Sequence, residues 1–213
     1  MTKDEVEQHF IADTKDHCMT IISADEDTVR RHLMFSENGS SVYRYDIHTW
    51  PGYLMVTGDM GTYVFSRIHD MFNFFQTGSP NFKINEGYWS EKLDAINSHC
   101  GADASIKEYL PEEFTKMIKE EFNQWIENWE IEPNNANEVW DALQNDVLDD
   151  VGDEQNDYNN AYSFESGNLN FYDAPFSNCR EYNYHFRWIL YAIVDGIAQY
   201  KASTKKIDTK VDL

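Results

Sequence analysis

Basic residues are scarce in this sequence. Seventeen Lys and Arg stand against 38 Asp and Glu, a formal net charge of −21. Such a field repels free nucleic acid and other acidic surfaces, and it attracts basic partners. The adjacent basic pairs, Arg30-Arg31 and Lys205-Lys206, are too few to make a phosphate-binding stripe. Cysteine is also rare. Cys18, Cys100 and Cys179 are odd in number and widely spaced, which argues against a disulfide framework and a CxxC metal half-site and suits reduced thiols. Long apolar runs are missing. The longest, from Trp188 to Val194, has seven residues and ends at Asp195, whereas a bilayer-spanning helix needs roughly 20. The first seven residues are charged and lack the apolar segment of a secretory leader. No GxGxxG, GxxxxGK[ST], HExxH or GxSxG pattern occurs, so no reaction class is indicated. These absences predict a cytoplasmic chain without a membrane span, a cofactor or direct nucleic-acid binding.

Aromatic residues, by contrast, are abundant: 6 Trp, 13 Tyr and 13 Phe. With 41% hydrophobic residues the chain can close a substantial core, and one α+β domain over 1–213 is expected. Its sheet-rich part spans 18–67, its helix-rich part 70–202, and a frayed tail 203–213. Residues 3–17 read as a polar helix with Val6, Phe10 and Ile11 as its apolar stripe. The period then changes. Met19–Ile22, His32–Phe35, Val42–Trp50, Tyr53–Thr57 and Thr62–Ser66 read as strands separated by short turns, among them Asn38-Gly39, Pro51-Gly52 and Gly58–Gly61. Consecutive strands with short turns imply an antiparallel β-meander. In the third strand Tyr43, Tyr45 and Ile47 face one way, and Arg44, Asp46 and His48 the other. Asp70 is placed to cap a short helix carrying Met71, Phe72, Phe74 and Phe75, which Gly78-Ser79-Pro80 breaks. Residues 89–98 read as a further helix ending near Gly101.

The clearest helix follows Pro111. Phe114, Met117, Ile118, Phe122, Trp125, Ile126 and Trp129 form a continuous stripe, and Pro111-Glu112-Glu113 suits a helix start. Pro133 ends the pattern, and a second helix carries Val139, Trp140, Leu143, Val147 and Leu148. Residues 152–164 read as loop, Leu169–Tyr172 as a strand, and Phe186–Ile197 as the final helix. The architecture expected is a meander packed against several helices, with a mainly helical C-terminal half.

The acidic residues cluster. Between Asp103 and Glu165, 18 carboxylates meet three lysines and no arginine. Glu112, Glu113, Glu120, Glu121, Glu127, Glu138, Asp141, Asp146, Asp149 and Asp150 fall opposite the apolar stripes. Rows of carboxylates on helices can imitate the field of duplex nucleic acid, which carries one negative charge per about 1.7 Å of axis. The plainer reading is a solvated outer face. A second candidate site is the sheet face and the Gly58–Gly61 turn, where Asp46, His48, Asp59 and Arg67 supply groups sufficient for acid–base chemistry or small-molecule binding. As structural residues, Asp59 would stabilise a turn and His48 would pack beside Trp50. For metals, His17-Cys18 and His99-Cys100 could contribute zinc ligands only at a bend. Asp146, Asp149, Asp150, Asp153 and Glu154 lack the spacing of an EF-hand loop. No metal site is assigned.

Two stretches carry a resemblance. One runs from Thr49-Trp50-Pro51-Gly52-Tyr53-Leu54 through Thr57-Gly58-Asp59-Met60-Gly61-Thr62-Tyr63-Val64-Phe65-Ser66-Arg67 to Asp70-Met71-Phe72. The other joins Tyr184-His185-Phe186-Arg187-Trp188 to Tyr191-Ala192 and Gly196-Ile197-Ala198-Gln199-Tyr200. Together they resemble a family of small acidic proteins of tailed bacteriophages and prophages without an established enzymatic activity. The resemblance implies an accessory protein made in the bacterial cytoplasm, and it assigns no functional residues. Combined with the charge, it leads to the expectation of a non-enzymatic inhibitor of a host defence complex, of anti-CRISPR or anti-restriction type. Such a protein would compete with nucleic acid for a basic channel. A small-molecule-binding protein or enzyme, and a phage structural or assembly protein, are the alternatives.

Overall fold

Six strands pair in the order of the chain: β1 (Cys18–Asp25), β2 (Arg30–Ser36), β3 (Tyr45–Trp50), β4 (Tyr53–Gly58), β5 (Gly61–Ser66) and β6 (Leu93–Asn97). Every pairing is antiparallel. This is the expected meander, seen in a computed structural model that describes residues 1–75, 83–97 and 105–211. Leu33, Phe35, Tyr45, Ile47, Leu54, Val56, Tyr63 and Phe65 alternate along four strands and are buried on one face. The third strand starts at Tyr45 and not at Val42, because Tyr43 adopts a left-handed φ of 52° that interrupts the extended backbone.

Two helices cover the apolar face. In α1 (Lys3–Thr14), Thr2 and Glu5 form a reciprocal capping box. Val6 and Phe10, one turn apart, are buried, whereas Ile11 is exposed, so the stripe is narrower than its sequence suggests. The long helix α7 (Tyr184–Val211) lays Phe186, Ile189, Ile193 and Ile197 into the same cluster. It continues to Val211, past Ser203 where fraying is expected. Arg31, 5% exposed, pairs with Glu26 at 2.6 Å and Asp70 at 3.0 Å and lies over the rings of Phe72 and Tyr200. Burial opposes its charge, but the two carboxylates outweigh it and raise the guanidinium pKa. Asp70 also caps α2 (Met71–Phe74) through Phe72 N–H, as its position predicts.

The reading of 89–98 as a helix is corrected. Asn85 caps a single turn, α3 (Glu86–Ser90), and Leu93–Asn97 is the sixth strand, paired with β5. The Gly78-Ser79-Pro80 break and the end near Gly101 lie outside the described residues.

The contacts group the chain, read from its sequence as one α+β domain over 1–213, into two compact units. Residues 1–106 and 182–213 form unit 1; residues 107–181 form unit 2. The reason is that the apolar residues after Lys107 close on one another as a separate cluster. Unit 2 begins with β7 (Lys107–Tyr109), which pairs with β8 (Arg180–Tyr182) where the chain leaves it. Between them lie α4 (Pro111–Trp129), α5 (Pro133–Asp146) and α6 (Glu154–Ser163). Phe114, Met117, Ile118, Phe122 and Trp125 of α4 are buried as the stripe predicts, but Trp129 is exposed.

Residues 152–164, read as loop, contain α6. Asp153 caps it through Asn156 N–H, and Asp157, fully buried, is held by Tyr109 Oη–H at 2.6 Å and Gly152 N–H at 3.0 Å. A polar residue therefore occupies an inward position that hydropathy alone marks as outward. Leu169–Tyr172 is not a strand. Leu169 closes a tight turn with Ser166, and Leu169 and Phe171 pack into the unit 2 core without an extended partner. No helix among the described residues is long and apolar enough to cross a membrane.

Candidate functional site

The outer face of the unit 1 sheet carries polar groups at the positions that alternate with the core. In the β2–β3 register His32 lies directly opposite His48, and Asp46 follows two residues away on the same face as His48. His32 Nε2 is 2.8 Å from Asp46 Oδ2, and the two imidazole rings stack with centroids 4.0 Å apart. Arg44 Nε and Nη2 donate to Asp46 Oδ1 and Oδ2 at 3.1 and 3.3 Å. Burial opposes ionisation of Asp46, but hydrogen bonds from Arg44 and His32 prevail and hold its pKa below the usual carboxylate value. Burial, with the neighbouring His32, lowers that of His48. His32, Asp46 and His48 offer ligand atoms within 4.8 Å of one another, the one such trio among the described residues.

Beside Asp46 opens a cleft of about 410 Å³ lined by Ser41, Arg44, Asp46, Thr57, Gly58 and Asp59. Asp59 holds its wall: Asp59 Oδ2 accepts from Tyr43 N–H at 2.9 Å, and Asp59 N–H donates to the Arg44 carbonyl. Gly58 is required here, because a Cβ would lie 2.1 Å from the Arg44 carbonyl oxygen. Of the four residues expected at this site, Asp46 and Asp59 line the cleft and His48 joins Asp46 on the same face. Arg67 does not join them. It follows the far end of β5, where its N–H bonds the Gly52 carbonyl. His32 was missed, although pairing Leu33 with Ile47 as inward residues would have set it against His48.

The ten candidate acidic residues lie on or just beyond α4 and α5. Glu112, Glu120, Glu127, Glu138, Asp141, Asp146, Asp149 and Asp150 are exposed, and Glu113 and Glu121 are half-buried. Glu113 pairs with Lys116 at 3.1 Å; none of the other nine forms an ion pair among the described residues. The same two helices enclose a groove of about 330 Å³ lined by Phe122, Ile126, Ala136 and Trp140, with Lys119, Asn123 and Asn137 at its edge.

The other metal candidates do not assemble. Asp153 is a helix cap and Glu154 faces Arg180 at 3.5 Å. The His17-Cys18 pair forms no ligand cluster among the described residues, and His99-Cys100 lies outside them. Cys179 is buried, which pushes its thiol pKa up to about 11 and keeps it protonated and unreactive near neutrality. No family model, curated protein or solved structure matches this chain.

Proposed function

We propose that this chain is a binding protein whose acidic unit 2 engages a basic protein surface, in competition with the nucleic acid that surface serves. The observation that carries the reading is the pairing of two features on α4 and α5. Carboxylates with almost no internal counter-charge share these helices with an aromatic groove. Uncompensated charge steers a basic partner and makes association sensitive to salt. Aromatic side chains in a recess supply the apolar anchor that protein interfaces concentrate in a few residues. That combination favours a protein partner over free nucleic acid. The phage resemblance makes a bacterial defence complex, CRISPR effector or restriction enzyme, the proposed class of target.

The test uses the full chain immobilised in bacterial lysate. A nucleic-acid-handling complex should be retained at low salt, released at high salt and displaced by duplex DNA. Joint reversal of Glu120, Glu121, Asp149 and Asp150 to Lys should abolish retention. Retention unchanged by reversal, or indifferent to DNA, would refute the acidic-surface reading. A second reading, small-molecule binding in unit 1, is favoured by the cleft beside Asp46, and loss of a ligand on changing Asp59 or His48 without unfolding would distinguish it.

A further inference from the structure

We propose that His32, Asp46 and His48 bind one divalent transition-metal ion of the zinc type on the outer face of the unit 1 sheet. The inference is independent of the acidic surface of unit 2. Three different constraints converge on it.

The first is register. Antiparallel pairing puts His32 and His48 opposite each other, and strand alternation puts Asp46 on the same face. The side chains are therefore delivered by two paired strands and not by loops. The second is donor chemistry. Two imidazoles and one carboxylate suit first-row ions such as zinc, cobalt or iron, whereas magnesium and calcium call for all-oxygen sets. Sites with three protein ligands keep a further position open for water or a ligand. The third is geometry. A tetrahedral ion with bonds of about 2.0–2.1 Å holds its ligand atoms roughly 3.4 Å apart. The present atoms lie within 4.8 Å, with His32 Nε2 and Asp46 Oδ2 at 2.8 Å. The ion would take the place of the hydrogen bond between that pair. Rotation of both rings out of their stack would open this contact and turn His48 to the same point, over ligand-atom distances that are already within 4.8 Å. Arg44 would give up its Nη2 contact with Oδ2 and stay on Asp46 Oδ1 through Nε, orienting the carboxylate while Oδ2 turns to the metal.

The experiment is a titration of the full chain, purified without a polyhistidine tag and stripped with chelator, by Co(II). Binding is followed through the visible absorption of the ion and then by Zn(II) displacement. One ion per chain should bind, and H32A, H48A and D46N should each weaken binding by roughly 100-fold or more, at or beyond the upper end of what changes outside the ligand shell cost. H9A is the control and should bind as the native chain does. Circular dichroism checks that each variant folds. As a measurement that needs no variant, imidazole ¹H–¹⁵N spectra of the native chain should show His32 and His48 alone shifting at one equivalent of Zn(II). Absence of saturable binding, full binding by H48A, or ring shifts at other histidines would overturn the proposal.

Discussion

The approach of α7 to the sheet can be tested at one atom. Gly196 faces β2 and β3 so closely that an added Cβ would stand 2.6 Å from Ile47 Cδ1 and 2.9 Å from Phe35 Cζ. Both neighbours are completely buried. Two opposing effects then decide the outcome of G196A. In a helix interior, Ala is favoured over Gly by roughly 1 kcal/mol. Overpacking a closed core costs about 1–3 kcal/mol, and the Phe35 ring has little room to retreat. The expected net result is a loss of about 1 kcal/mol. The diagnostic is a cycle with I47V, which removes the nearest atom. Alone, I47V should cost about 0.5–1.5 kcal/mol. In the G196A background it should cost nothing or restore stability, a coupling of about 1 kcal/mol or more. Urea unfolding gives the totals, and amide exchange in β3 reports unit 1 alone. If G196A proved stabilising by the full helix-propensity gain, without coupling to Ile47, the close helix–sheet contact would be disproved.

Asp195, one residue before Gly196, is half-buried, and its pKa is raised by burial although Gln199 donates to it at 2.7 Å. A carboxyl whose folded pKa exceeds its unfolded one destabilises the fold once ionised. D195N should therefore exceed the native chain in Tm near neutral pH, and the advantage should shrink as the pH falls through the raised folded pKa towards the ordinary value of 3.8. A gap independent of pH would exclude this cause. In unit 2, Y109F leaves buried Asp157 with Gly152 N–H as its remaining donor on Oδ2. It should cost about 1–3 kcal/mol and strip exchange protection from α6 first; unchanged α6 protection would show that the bond does not hold the helix.

How much was legible depended on whether period and burial agreed. The α4 stripe from Phe114 to Trp125 and the strands around Ile47 and Val56 could be read directly, because their apolar residues repeat at the period of the element they form. β6 was misread for a local reason. Its pairing slips between Val64 and Phe65, so that Val64 faces Ala95 and Phe65 faces Leu93. The slip breaks strict alternation and leaves Leu93 and Ile96 both packed on the core at a spacing of three, which imitates a helix. α6 was hidden by Asp157, whose inward position depends on a hydroxyl 48 residues earlier. The polar cluster was half visible: Asp46 and His48 share a strand, but His32 reaches them only through register, a tertiary fact. Arg67 was misplaced because nearness in sequence to the Gly58–Gly61 turn ignored the length of β5 between them.

The order of the two units along the chain carries a consequence for synthesis. The sheet's strands are translated before residue 98, yet α7, which covers their apolar face, follows the whole of unit 2. During translation that face waits for residues beyond Tyr184, while unit 2 already holds its own cluster of apolar residues. The inserted unit can condense on the emerging chain, and the unit that surrounds it in sequence must close last. Exposed strands in that interval are the species most open to aggregation, so the rate at which α7 arrives sets how long the nascent protein stays vulnerable.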